Sequence, residues 1–186
     1  MGRLNGKIIA IAVAILLVIW GIGSYNSLVS KNEKINESYG QIQNQLQRRA
    51  DLIPNLVETV KGYAKQEREI IQSITDARAK LAGAKTPQEQ AAANNELNTA
   101  LSRLLVVVEN YPNLKSDANF RQLMDELAGT ENRIAVARRD YNAAVKEYNV
   151  KIKRFPTVII AKIFGFTEKQ YFEATPNAQN VPNVKF

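Results

Sequence analysis

The chain has 186 residues, 45% hydrophobic and 23% charged, which is the balance of a folding chain rather than a disordered one. It contains no Cys and no His, which excludes disulfide scaffolds, zinc fingers, thiol nucleophiles, Ser-His-Asp triads and the Glu-x-x-His element of di-iron bundles. The net charge of +7 is local: Arg3 and Lys7 carry +2, residues 133–169 carry nine basic against three acidic groups for +6, and the remainder sums to −1.

From Ile8 to Gly23 the chain reads IIAIAVAILLVIWGIG, sixteen residues without a charge or polar side chain. At 1.5 Å per residue the run rises about 24 Å, short of a roughly 30 Å hydrocarbon core, with Leu4 at one end and Trp20 and Tyr25 at the other extending it into the interfaces. A single-pass transmembrane helix over 8–23 is the expectation, behind a short basic segment, 1–7. The competing reading is a cleaved signal peptide with Gly21 and Gly23 ahead of a cut at Ser24. The apolar run exceeds the usual 7–15 residues of such peptides, and no Ala-x-Ala site follows. Lys31 and Lys34 beyond the span nearly balance Arg3 and Lys7 before it, so the charge bias leaves the orientation open.

Beyond the span no segment shows the period of two that marks a strand, and the pattern is all-α. Tyr25, Leu28, Ile35, Tyr39, Ile42 and Leu46 form one helical stripe. Leu56, Val60, Tyr63, Ile70, Ile74, Ala77 and Leu81 form a second, ending near Gly83 with Arg78 and Lys80 in the last turns, where positive charge suits the helix dipole. Thr86-Pro87-Gln88-Glu89 reads as a capping box with proline in the first turn. A third helix uses Leu97, Leu101, Leu104 and Val108 until Tyr111-Pro112. A fourth, capped by Ser116 or Asp117, keeps Leu127, Ile134, Tyr141, Tyr148 and Phe155 at the seven-residue interval of a coiled-coil seam. A reversal near Asp51–Pro54 then folds residues 24–155 into an antiparallel four-helix up-and-down bundle. The alternative is one long helix kinked at Pro54. It leaves the stripe from Tyr25 to Leu46 without an intrachain partner and so predicts a homo-oligomer.

Asn32, Arg49, Glu67, Glu131 and Arg138 interrupt the apolar stripes. An ionisable group on a core-facing stripe must pair or lie at a bundle end, because an unpaired buried charge costs several kcal/mol. Arg49, Glu67, Glu131 and Arg138 are therefore the expected buried polar pairs. A catalytic or ion-binding reading requires Glu67, Glu131 and Arg138 to converge in a pocket. No catalytic residue, cofactor or metal site is assigned. Lys146, Lys151, Lys153 and Arg154 close the fourth helix and precede TVIIAKIFGF, which contains Lys162 and Phe164. If the fourth helix returns to the membrane, these six residues are the expected lipid contact. No nucleic-acid-binding motif accompanies the basic region. The rest of 156–186 ends in a Pro- and Asn-rich tail expected to be extended.

YNSLVSKNEKINESYGQIQNQLQRRADLIPNLVETVKGYA, the later ENRIAVARRDYNAAVKEYN, and the closing RFP, IFGF, YFEA and VPNVKF together resemble the LemA family over nearly the whole chain from Tyr25. The resemblance implies a bacterial, membrane-anchored helical bundle with its amino end outside and the bundle in the cytoplasm. It implies no established enzymatic activity, and relatives associated with magnetosome membranes or found beside membrane proteases. No agreed catalytic or binding role attaches to the motif residues. The functional expectation is a non-enzymatic membrane-anchored scaffold with an unidentified protein partner, the alternative being lipid-surface binding through the basic end of the bundle.

Overall fold

The structure, a computed structural model, describes residues 2–64 and 66–172, with side chains from Gly6 onward. The tail from 175, expected to be extended, lies outside the described residues. The described residues are helical without strands: α1 (Gly2–Tyr63), α2 (Arg68–Gly83), α3 (Pro87–Val108), the short α4 (Pro112–Ser116), α5 (Ala118–Lys153) and α6 (Thr157–Ile163).

The expected reversal at Asp51–Pro54 does not occur. α1 runs through Pro54 without a break to Tyr63, and beyond it the Glu67 N–H donates to the Ala64 carbonyl at 3.1 Å before α2 begins. Proline has no N–H to give the carbonyl four residues earlier, so a helix that continues through Pro54 leaves the carbonyl of Ala50 without its usual donor. Arg78 on α2 supplies one: its Nε donates to the Ala50 oxygen at 2.9 Å. The stripe that a continuous helix was expected to leave bare is covered within the chain, since Leu28, Ile35, Ile42 and Leu46 are all buried. A bare stripe on α1 therefore does not call for a second copy of the chain.

The chain divides into two compact units. The first comprises residues 1–38 and 141–170. Its α1 segment carries the apolar run, whose side chains are uncovered by protein, Ile8 and Leu16 among them. Among the described residues α1 is the one helix long and apolar enough to cross a membrane. Beyond the run, Leu28 and Ile35 share the core of this unit with Tyr141, Val145, Tyr148 and Ile152 of α5. Lys31 and Glu147 pair across the two helices at 2.8 Å. Phe155, expected to continue the heptad seam, lies past the end of α5 and is 82% exposed. After α6 the chain doubles back at Gly165, whose φ of 73° suits glycine, and the Phe166 N–H bonds the Ala161 carbonyl at 2.9 Å. The following segment is held on α5 by Asn149, which donates to the Lys169 carbonyl at 2.8 Å and accepts from the Lys169 N–H at 2.9 Å.

The second unit comprises residues 39–140 with Tyr171 and Phe172. α2 and α3 pack along each other. Their connection carries the full capping box: Thr86 Oγ1 accepts from the Glu89 N–H at 3.2 Å, and Glu89 accepts from the Thr86 N–H at 3.1 Å. Asp117, not Ser116, caps α5, accepting from the Phe120 N–H at 2.9 Å. Leu56, Ile74, Leu97, Leu104, Leu127 and Ile134 are fully buried and form the heart of this unit. α4 fills the corner after Tyr111-Pro112 with a buried Leu114; the five-residue helix has too little periodicity to be read from sequence.

Candidate functional site

Within the second unit, three helices meet at a polar cluster. Arg49 of α1 is placed by its own stripe, one turn past Leu46 and one before Ile53, so its guanidinium is carried inward with only 4% of the side chain exposed. Asn94 and Asn98, one turn apart on α3, face it. Arg49 Nη1 donates to Asn94 Oδ1 at 2.6 Å and to Glu131 Oε2 of α5, and Nη2 donates to Asn98 Oδ1. Both carboxamides then donate to the same carboxylate, Asn94 Nδ2 to Oε2 at 3.3 Å and Asn98 Nδ2 to Oε1 at 3.2 Å. Glu131 thus accepts from three side chains while remaining 32% exposed at its solvent edge.

Arg138 stands two turns along α5 from Glu131. Its guanidinium lies 4.9 Å over the ring of Phe172, a cation–π arrangement, and its Nε and Nη2 are buried without a hydrogen-bond partner among the described residues. Burial lowers the pKa of both arginines. The charge of Glu131 opposes that shift in each, and Arg138 lowers Arg49 further. Both guanidiniums remain protonated, as arginine does in proteins. The cluster therefore holds two positive charges against one negative one.

Of the four side chains expected to pair, the structure brings Arg49 and Glu131 into contact and leaves Arg138 close enough to feel the same carboxylate. Glu67 stands apart at the α1–α2 connection and accepts from the Tyr111 hydroxyl at 2.8 Å. That bond holds the Tyr111 hydroxyl above its ordinary pKa. Glu67 takes no part in the cluster, so the three-residue convergence required for a catalytic or ion-binding pocket is not formed. Among the described residues no group of three acidic side chains stands close enough to hold a metal ion. The apolar stripes do not single out Asn94, Asn98 or Asn149. The first two carry a usable signal, since their four-residue spacing puts them beside Leu97 and Leu101 on the buried face of α3.

The residues expected to touch lipid lie in the first unit. Ile8, Trp20 and Gly23 belong to the uninterrupted α1. Lys146, Arg154 and Lys162 are exposed and Lys151 is half-buried. Lys153 is paired with Glu168 at 2.8 Å. Phe164, 58% exposed, packs its inner face against Tyr25, with ring centroids 4.8 Å apart.

Neither the matched family nor the relatives named below carry an enzyme name. The chain is 30% identical over 178 residues to magnetosome protein MamQ 2 of Paramagnetospirillum magneticum, a match covering 82% of this chain and 65% of that protein. It is 29% identical over 178 residues to magnetosome protein MamQ of Magnetospirillum gryphiswaldense, with the same coverage of 82% and 65%. It is 24% identical over 155 residues to protein LemA of Metamycoplasma hominis, covering 83% of this chain and 71% of that one. The chain thus spans about 65% of the length of the magnetosome relatives it matches. The LemA family model matches residues 38–186, taking in the whole of the Arg49 cluster, and the chain belongs to the LemA family.

Proposed function

We propose that this protein is a single-pass, membrane-anchored, non-enzymatic scaffold, in which α1, α2, α3 and α5 form an antiparallel four-helix bundle that presents exposed helix faces to a partner protein. The observation that supports this reading is how the cluster uses its polar groups. Arg49, Asn94, Asn98 and Glu131 are turned on one another, tying α1, α3 and α5 together, with the guanidinium enclosed rather than offered to a substrate. A catalytic carboxylate needs a proton to move and a substrate within reach, and Glu131 is already committed to three donors. The grooves on this unit are open and lined by surface residues such as Glu69, Asp76, Lys80 and Arg103. The magnetosome names of the relatives agree with a membrane-associated role.

The partner-facing surface in this reading includes Leu105 and Val106, adjacent exposed apolar residues near the end of α3, Val106 being 72% exposed. A photo-crosslinking residue placed at Val106 in cells is expected to give a discrete larger adduct that disappears with Leu105→Glu. A smear of adducts or none, with the protein at normal abundance, overturns the reading. Topology is read separately. The chain lacks Cys, so single cysteines replacing Asn5 and Asn113 each report one side of the membrane to an impermeant maleimide. Labelling of the 5-position with protection of the 113-position until lysis puts the bundle in the cytoplasm, as the family resemblance implies. The opposite pattern puts it outside, and labelling of both on one side refutes a single pass.

A further inference from the structure

The apolar run of α1 rises about 24 Å, a few ångströms short of a roughly 30 Å hydrocarbon core, and the first unit places further apolar surface beside its end. Ile160 of α6 reaches the last turn of the run: its Cδ1 lies 3.7 Å from where a Cβ on Gly21 would stand. One turn farther, Tyr25 packs against Phe164 and Phe166, with ring centroids 4.8 and 5.7 Å away. α6 is therefore fixed beside residues 21–25. With Lys7 at the far interface, helical rise puts Gly21 about 21 Å and Tyr25 about 27 Å across a hydrocarbon core of roughly 30 Å. Gly21 then lies among the acyl chains and Tyr25 close to their boundary with the headgroups on the side of the bundle.

The surface that α6 turns away from the protein suits that depth. Thr157 and Ala161 face inward and are buried, while Ile159, Ile163 and Phe164 face outward, Ile163 at 68% exposure. Phe155, just before α6, is uncovered too. Arg154 and Lys162 flank this apolar surface and are exposed, with no ion pair among the described residues. Apolar side chains with aromatic rings at their edge and free cations beside them are the composition of an interfacial segment.

We propose that α6 is a second membrane element: a short interfacial helix inserted near the acyl–headgroup boundary of the leaflet on the bundle side, beside the end of the span, with Arg154 and Lys162 on anionic headgroups. This rests on the reading that residues 8–23 cross the membrane. The two fail differently in one experiment. Trp20, the only tryptophan, is replaced by Phe, and a single tryptophan is placed at Phe164 or Leu16 in the full-length chain. The purified proteins are reconstituted into vesicles containing phosphatidylglycerol and lipids brominated high or low on the acyl chain. The Leu16→Trp protein is expected to lose most of its emission to bromines near the chain end, and the Phe164→Trp protein to bromines near the headgroup. Quenching of the first without the second overturns the interfacial helix and leaves the span standing. Loss of both overturns the span. Emission from the Phe164→Trp protein that ignores bromine but shifts to the blue as protein-to-lipid ratio rises puts a second copy on this face, and also overturns the proposal. Circular dichroism of each variant at wild-type helicity confirms that quenching reports position rather than unfolding.

Discussion

If Arg78 replaces the donor that Pro54 lacks, the energetic cost of removing Arg78 must depend on whether Pro54 is present. Arg78 Nε donates to the Ala50 carbonyl at 2.9 Å, and Ala50 is the residue four before Pro54. A hydrogen bond from a charged donor contributes about 1.5–3 kcal/mol net, and the half-buried site puts this one near the lower figure. Arg78→Leu in the wild-type background is therefore expected to cost about 1.5 kcal/mol, a fall in melting temperature of roughly 3–6 °C for a chain of this size. Pro54→Ala restores a backbone N–H facing the same carbonyl and removes a ring from the helix interior, stabilising by up to about 3 kcal/mol. In that background the Ala50 carbonyl no longer needs the side chain, and Arg78→Leu is expected to cost under about 0.5 kcal/mol. The assay is thermal and urea unfolding of the full-length protein in detergent, followed by circular dichroism, on the four members of the cycle. Equal costs for Arg78→Leu in both backgrounds refute the substitution of one donor for another. A loss of stability on Pro54→Ala contradicts the continuous helix itself.

Removing one member of the Arg49 cluster has a sidedness. Glu131→Leu strands a buried guanidinium already near Arg138 and is expected to cost about 3 kcal/mol, whereas Arg49→Met leaves a carboxylate that solvent reaches and costs less, and reversal of that order by urea unfolding refutes the assignment. Leu97→Ala, at a side chain with no exposure, is expected to lose about 2–5 kcal/mol by the same assay, and a loss below about 1 kcal/mol would mean that α3 is not packed as described. Glu89 and Asp117 are held below their ordinary pKa, Glu89 by the Lys85 and Thr86 N–H groups and Asp117 by the Phe120 N–H and the Tyr63 hydroxyl. The folded state thus binds fewer protons there, so these groups contribute stability above the unfolded carboxylate values and lose it as pH falls through the folded ones. Melting temperature is expected to drop on acidification, and Asp117→Asn, which keeps a cap but cannot titrate, to flatten part of that drop.

How far the fold could be read from sequence follows from where each signal resides. The capping box at Thr86–Glu89 and the proline stop at Tyr111-Pro112 are local: the residues that make the structure are the residues that announce it. The course of α1 is different. Pro54 within a helical pattern is a breaker by every local rule, and the group that cancels the break, Arg78, lies 24 positions downstream, where it reads as a charge for the dipole of its own helix. The real turn is marked weakly, by Gly62 and a Glu67 whose side chain makes no capping bond. The cluster divides in the same way. That Arg49 and Glu131 sit on apolar stripes is written in the spacing, but that they face each other depends on the register between α1 and α5, which a single stripe cannot fix. Phe155 marks the limit of the heptad argument: the periodicity continues past the point where the helix ends.

That same limit suggests what the cluster is for. Leu127, Ile134, Tyr141 and Tyr148 repeat every seven residues, so sliding α5 by one heptad, about 10 Å, replaces apolar contacts with apolar contacts and meets little resistance from packing alone. The hydrogen bonds of Arg49 to Glu131, Asn94 and Asn98 form in one register only. On this argument, replacing the set together (Arg49→Met, Asn94→Ala, Asn98→Ala, Glu131→Leu) should leave stability within a few kcal/mol of wild type while loosening the alignment. The readout is the distance between spin labels on Lys31→Cys and Glu147→Cys, whose native side chains pair at 2.8 Å between the same two helices. In the wild-type background a single narrow distance distribution is expected. In the apolar quadruple variant a second population, displaced by about 10 Å along α5, should appear beside it. If the quadruple variant keeps the single wild-type distance, register is held by packing, and the arginine cluster has no part in specifying it.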